Sequence, residues 1–207
     1  MEVIISIYTY KNDLPDSLIL KGNIAIDSET MGLNQNRDRL CVLQLSNGNG
    51  KAHLVQFEQG NYAAPNLKKL LSDESTIKIF HFARFDIAVI KKYLDVTIKN
   101  LYCTKIVSKL VRTYTDSHGL KDLCRELLGV QISKQQQSSY WGAGELTKEQ
   151  IEYAASDVLY LHQLMDKLNL MLEKEGRMHL AKECFKFLPT QAELDLLGWK
   201  DVDIFAH

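Results

Sequence analysis

Proline is scarce in this 207-residue sequence, occurring only as Pro15, Pro65 and Pro189, and no internal repeat or low-complexity stretch is visible. Long disordered linkers are therefore not expected. Cysteine is confined to positions 41, 103, 124 and 184, and no two have C-x-x-C spacing. Disulfide and zinc-ribbon scaffolds drop out, and in a reducing compartment the four thiols are expected to act as small apolar filler. No apolar run approaches the roughly 18 to 20 residues needed to span a bilayer. The opening Met1-Glu2-Val3-Ile4-Ile5 also lacks the basic start and cleavage site of a signal peptide, so a cytoplasmic protein is expected. Neither charge sign dominates: 25 Lys+Arg against 26 Asp+Glu leave a net charge of −1, which excludes a global field able to attract long nucleic acid unaided.

What is present is an ordinary globular composition, 45% hydrophobic and 25% charged. The length suits one domain with a helical extension rather than two independent domains. Charge is unevenly spread along it. Residues 78–134 hold eleven Lys+Arg against five Asp+Glu, a local +6, whereas residues 1–77 carry −2 and 135–207 carry −5. A solvated helical surface accounts for such a block. Beside acidic sites it would also guide a polyanion towards bound cations.

The first hundred residues alternate short apolar runs with turn signals. Val3–Tyr8, Ile24–Ile26, Leu40–Leu45, Ala52–Val55 and Ile77–Phe80 read as strands. Asn47-Gly48-Asn49-Gly50 predicts a hairpin between the third and fourth. Pro65–Leu71 reads as a helix with proline in its first turn. Beyond Ile87 the apolar spacing becomes helical, through Ile106–Val111 and Leu120–Leu128 to a stop at Gly129. Gln135–Ser139 is a polar loop. Thr147-Lys148-Glu149-Gln150 is a capping box flanked by Leu146 and Ile151 as a hydrophobic staple, so one helix is expected from there to about Gly176. A second Thr-x-x-Glu box at Thr190, after Pro189, predicts a short last helix ending near Gly198. The expected fold class is α/β, a mixed sheet flanked by helices with a helical C-terminal side.

Asp27 and Glu29 close the strand Ile24–Ile26, and side chains at i and i+2 of an extended segment point the same way. A strand end and turn would explain the pair by itself. Asp86 follows the strand Ile77–Phe80 at a helix start, where an acid also suits the helix dipole. Asp157 lies inside the apolar helix one turn after Tyr153, and a mid-helix aspartate is seldom buried without a partner. Four converging carboxylates would repel one another and rise in pKa unless cations neutralised them. Hard oxygen ligands suit Mg²⁺ or Mn²⁺, and two such ions roughly 4 Å apart support phosphodiester hydrolysis. No P-loop-like phosphate cradle is present to suggest nucleotide transfer.

Asp27-Ser28-Glu29-Thr30-Met31-Gly32-Leu33, His81–Asp86 and Tyr153-Ala154-Ala155-Ser156-Asp157 resemble the three motifs of DEDD-type 3′–5′ exonucleases, with Tyr-x-x-x-Asp marking the tyrosine (DEDDy) subclass. The sequence is similar to ribonuclease D over residues 20–165, including Leu40–Ser46, His118–Gly129 and Lys134–Trp141. Asp38–Val42 and the ending Asp203–His207 resemble the short, single-domain nanoRNase C group. Two threonines frequent in the first motif are replaced by Ser28 and Met31, and Ser139-Tyr140-Trp141 stands where relatives commonly have Ser-Asp-Trp. Tyr140 and Trp141 read as core aromatics first and as base-stacking groups second.

The resemblance implies a ribonuclease H-like fold in a single exonuclease domain over 1–207, with a core at about 20–175, a helical extension at 177–207 and no C-terminal helicase-and-ribonuclease-D domains. It implies Asp27, Glu29, Asp86 and Asp157 as ligands of two divalent cations, Mg²⁺ or Mn²⁺. Asp27 would bridge the two ions, Glu29 and Asp157 would complete the nucleophile-bearing site, and Asp86 would act largely through water. Tyr153 would orient the attacking water, since a phenol of pKa about 10 is a poor base at neutral pH. Met31, Gly32 and Leu33 would lie against the terminal nucleotide, Leu33 as a wedge. His81 is either a substrate contact or a packed, hydrogen-bonded histidine. The implied activity is a metal-dependent 3′–5′ exoribonuclease releasing 5′-mononucleotides from short single-stranded RNA, including dinucleotides, in a homo-oligomer, an octameric ring. A broader RNA or DNA trimming exonuclease and a catalytically inactive nucleic-acid-binding module are the alternatives.

Overall fold

The computed structural model describes residues 5–133 and 135–207. Val3 and Ile4 of the first expected strand, and Lys134 of the Lys134–Trp141 stretch, lie outside the described residues. Six strands form one mixed sheet: β1 (Ser6–Lys11), β2 (Ile24–Thr30), β3 (Leu40–Ser46), β4 (Lys51–Gln56), β5 (Lys78–Phe80) and β6 (Leu101–Cys103), in the spatial order β1-β4-β3-β2-β5-β6. β2, β3 and β4 run antiparallel in succession, while β1 joins β4, and β5 joins β2 and β6, in parallel. The Asn47–Gly50 turn makes the expected hairpin, with Gly48 and Gly50 at φ of 79° and 80°. β6 lies beyond Ile87, where the apolar spacing reads as helical, so the sequence pattern does not mark it as a strand.

Every residue of β3 is buried, as its near-continuous apolar run requires of a strand covered on both faces. Helices α1 (Pro65–Ser72), α2 (Ala83–Leu94), α3 (Thr104–Val111), α4 (Leu120–Leu123), α5 (Lys148–Leu159), α6 (Leu161–Lys174) and α7 (Met178–Leu194) surround the sheet. α5 lies over β2, β3 and β4, and α2 packs against α7. A π-helical turn, Cys124–Leu128, continues α4 to Gly129, whose φ of 71° supplies the left-handed stop. This is the ribonuclease H-like arrangement. Among the described residues no helix is long and apolar enough to cross a membrane.

Two helical expectations require correction. The single helix from Thr147 to Gly176 is broken at Tyr160, where φ of −105° and ψ of −6° separate α5 from α6. The apolar period runs through the break unchanged, because α5 buries its stripe on the sheet and α6 buries Leu161, Leu164, Leu168 and Leu172 while packing against α3. Nor does Thr190 cap a new helix: Pro189 sits inside α7, which runs on to Leu194 and a π-helical turn at Asp195–Trp199. Proline in a helix interior costs about 3 kcal/mol. Burial of Phe185, Leu188 and Ala192 on both sides of it offsets that cost. Cys184 likewise departs from the filler expectation, for it is exposed while the other three thiols are buried.

The box at Thr147 is present as read. Its hydroxyl accepts from the Gln150 N–H (3.2 Å) while the Gln150 side chain accepts from the Thr147 N–H (3.0 Å). Gln150 also donates to Ser139 Oγ and the Tyr140 carbonyl, tying the polar loop to the start of α5. Thr147→Ala should lower unfolding stability by ~1 kcal/mol with an unchanged urea m-value. A urea midpoint equal to wild type would show that the box does not hold the helix start.

Candidate active site

β2 is a central strand, and its alternation sends Asp27 and Glu29 to one side and Ser28 to the other. The first two face α5, which presents Asp157 to them. Carboxylate oxygens of Asp27, Glu29 and Asp157 all lie within 4.8 Å of one another. Asp86 arrives in the first turn of α2, directly after β5, the parallel neighbour of β2. Ser28 Oγ donates to Asp86 Oδ1 at 2.6 Å, so the residue between the two acids of β2 positions the third acid.

These acids line an open cleft of about 660 Å³. All nine residues expected at the site line it: Asp27, Glu29, Met31, Gly32, Leu33, His81, Asp86, Tyr153 and Asp157. The structure also brings Phe82, Lys105 and Lys121 to its wall. Phe82 joins β5 to α2 in the left-handed region (φ 70°), a strained position for a bulky residue, and Lys105 Nζ lies 4.3 Å from its ring centroid. The basic block at 78–134 contains both lysines without singling them out, and the ribonuclease D-like stretch His118–Gly129 takes in Lys121.

At separations of no more than 4.8 Å, two like charges among Asp27, Glu29 and Asp157 repel by at least ~3 kcal/mol at an effective dielectric of ~20. Burial acts in the same direction. Burial pushes Asp27 up to about 7, opposed by a hydrogen bond from the Ser28 backbone. Burial, then repulsion from Asp27, Asp157 and Asp86, holds Glu29 well above the usual carboxylate range. Asp86 is raised by burial and by Asp27. Tyr153 is raised by burial, by the neighbouring acids and by its hydrogen bond with Asp157, so its hydroxyl stays protonated. A group of hard oxygen donors that repel one another at the wall of a cleft fits a divalent cation.

Several further side chains surround the acids. Gln44, fully buried and opposite Asp27 across the β2–β3 ladder, aims Nε2 at Asp27 Oδ2 at 3.4 Å. Trp141 is core, only 2% exposed, with its ring 6.0 Å from that of Tyr153. Tyr140 is 66% exposed, contrary to the core reading, because the chain leaves the interior one residue before Trp141. His81 Nδ1 lies 2.8 Å from Thr104 Oγ1, a packed histidine that nevertheless faces the cleft.

A family model described as 3′–5′ exonuclease matches residues 4–173. The chain belongs to the 3′–5′ exonuclease family. Its Tyr153–Asp157 motif places this exonuclease in the DEDDy, ribonuclease D-like branch, and it is a hydrolase. It is 31% identical over 170 residues to ribonuclease D of Acidiphilium cryptum, covering 82% of this chain and 43% of that protein. The chain thus spans about half the length, or less, of the ribonuclease D relatives it matches. Among solved structures it is similar to Brucella melitensis NrnC bound to pGG (55% identity, TM-score 0.95), covering 98% of this chain and 99% of that one. NrnC with bound Mg²⁺ matches at 54% identity and TM-score 0.94, over 98% and 100% of the two chains. Escherichia coli RNase D matches at 26% identity and TM-score 0.71, over 83% of this chain and 45% of that one. Enzymes of this family use divalent metal, and the acid cluster is consistent with it.

The raised carboxylates set a sign for pH dependence. Without metal, Asp27 keeps its proton in the folded state up to about 7, whereas the unfolded chain releases it near ~3.9. Its stabilising contribution is complete below the lower value and is lost as pH rises through the upper one. The metal-free Asp27→Asn variant should therefore gain Tm relative to wild type as pH is raised from ~4 to ~7.5, and Mg²⁺ should restore wild type most at the upper end. A Tm difference independent of pH in calorimetry would contradict this.

Proposed function

We propose that this exonuclease hydrolyses short oligoribonucleotides, down to dinucleotides, from the 3′ end to 5′-mononucleotides, with two divalent cations, Mg²⁺ or Mn²⁺, held by Asp27, Glu29, Asp86 and Asp157. The observation that carries the proposal is the meeting of three of those acids within 4.8 Å in a cleft that the fourth also lines. Likeness over the full chain to NrnC bound to pGG supports the short substrate. So does the cleft: about 660 Å³ falls within the ~300–1,000 Å³ of sites that enclose single small ligands. A net charge of −1 suits a ligand with few phosphates. By the family resemblance the working form is a homo-oligomer, an octameric ring.

When bound, the cations supply Lewis-acid activation of a water and neutralise charge on the leaving oxygen. The protein's own groups then have distinct tasks. Asp27 and Glu29, fixed on a central strand, and Asp157, fixed on a capped helix, hold their oxygens without rearrangement. Ser28 holds Asp86 at the wall of the same cleft. Tyr153, protonated and braced by Trp141, orients the attacking water by hydrogen bonding and does not take its proton. Met31 and Leu33, exposed at the cleft, offer apolar surface to the terminal nucleotide. Gly32 serves the loop, since a Cβ there would strike the Asp38 carboxylate.

End-labelled RNA and DNA of two to ~20 nucleotides, incubated with Mg²⁺ or Mn²⁺, test the reading. Dinucleotides of RNA should be consumed to mononucleotides, and Asp27→Ala or Asp157→Ala should each lower turnover at least ~10³-fold. Tyr153→Phe should lower kcat ~10- to 100-fold with metal affinity unchanged. Persistence of dinucleotides while longer strands disappear would replace the proposal with a broader trimming activity. Binding of RNA with no turnover by the intact protein would point to an inactive module.

A further inference from the structure

Leu33 is an apolar side chain held out in solvent, 78% exposed, at the mouth of the cleft. A free surface loop would lower its energy by folding such a side chain back onto the protein. The Met31–Asp38 loop is prevented from doing so from within and from without. Inside the loop, the Asp38 carboxylate accepts from the Asn34 N–H (3.0 Å) and from Arg37 (2.6 Å), and Met31 N–H donates to the Arg39 carbonyl (3.0 Å). Outside it, two contacts come from the far end of the chain. Lys200 Nζ donates to the Leu33 carbonyl at 3.0 Å, and Asn36 Nδ2 donates to the Leu196 carbonyl at 3.0 Å.

That distant segment is itself anchored at the site. Asp195 is buried, and Arg84 grips it through Nε and Nη2, each at 2.6 Å. A bidentate, charge-assisted pair of this kind is strong and directional. Arg84 Nη2 also donates to the Lys200 carbonyl at 2.6 Å, and Gln191 Nε2 supports Asp195 from α7 at 3.0 Å. Arg84 stands in the first turn of α2, two residues before Asp86. One guanidinium thus secures both the helix that bears an acid of the site and the segment that reaches over to Leu33.

We propose that residues 195–200, locked to α2 by Arg84, form a clamp that holds Leu33 at the cleft mouth and so sets how firmly the terminal nucleotide of a short substrate is gripped. The inference rests on the proposed contact between Leu33 and that nucleotide. Lys200 and Asn36 are positioning residues in it, acting through the loop.

The test combines Lys200→Met with Asn36→Ala in the full chain, and compares it with Leu33→Ala and with all three changes together. Amide hydrogen exchange across residues 31–38 should speed up in the double variant, while KM for a dinucleotide rises ~5-fold and kcat stays within ~2-fold of wild type. Adding the double change to Leu33→Ala should raise KM no further. Unchanged exchange, or an unchanged KM when Leu33→Ala alone raises it, overturns the clamp. If Leu33→Ala leaves KM at the wild-type value, the nucleotide contact itself is refuted and the clamp's role in substrate grip falls with it.

Discussion

Repulsion between crowded, partly buried carboxylates is the constraint around which this molecule is organised. Asp27, Glu29 and Asp157 have oxygens within 4.8 Å of one another, and Asp86 adds a further negative group to the same cleft. Such a cluster persists only on a framework that cannot spread to relieve it. Two of the acids therefore stand on a central strand whose neighbours on both sides are paired, and Asp157 stands on a helix whose start is fixed by a reciprocal cap. The same repulsion suits the cluster to divalent cations, because bound positive charge would remove the penalty that the fold imposes.

The support extends beyond the acids. Gln44 lies under Asp27 in a strand that is otherwise almost wholly apolar, Ser28 directs Asp86, and Trp141 packs against Tyr153. None of these side chains belongs to the four-acid pattern. Each restrains one of those acids or Tyr153 beside them, and a small displacement of reacting groups is costly to catalysis. The helical C-terminal side contributes in the same way, with α7 covering α2 and Arg84 joined to Asp195 beneath it.

Much of the fold was legible in local pattern. The turn at Asn47–Gly50 carries its hairpin in two glycines that accept positive φ, and Thr147–Gln150 carries its helix start in a reciprocal pair of hydrogen bonds. Where local pattern misled, packing had overruled it. The helical period across Tyr160 is unbroken in sequence, yet the two halves bury their stripes against different partners. Pro189 and Thr190 carry the marks of a helix start, but the apolar residues on either side are buried in one continuous helix. Tyr140 and Trp141 are adjacent aromatics with opposite fates, a distinction that depends on where the loop enters the core.

Sequence alone determined which residues could do the chemistry, since carboxylates at i and i+2 of a strand and a tyrosine one helical turn before an aspartate are local patterns that reflect side-chain direction. It also determined the family, because three motifs in order are far more specific than any one of them. Only the tertiary structure decided that those motifs meet, that Lys105 and Phe82 share their cleft, and that Lys200 reaches Leu33 from 167 positions away. Contacts of that kind depend on how strands are ordered and how helices cross, and no short stretch of sequence carries the distance between two surfaces that fold together.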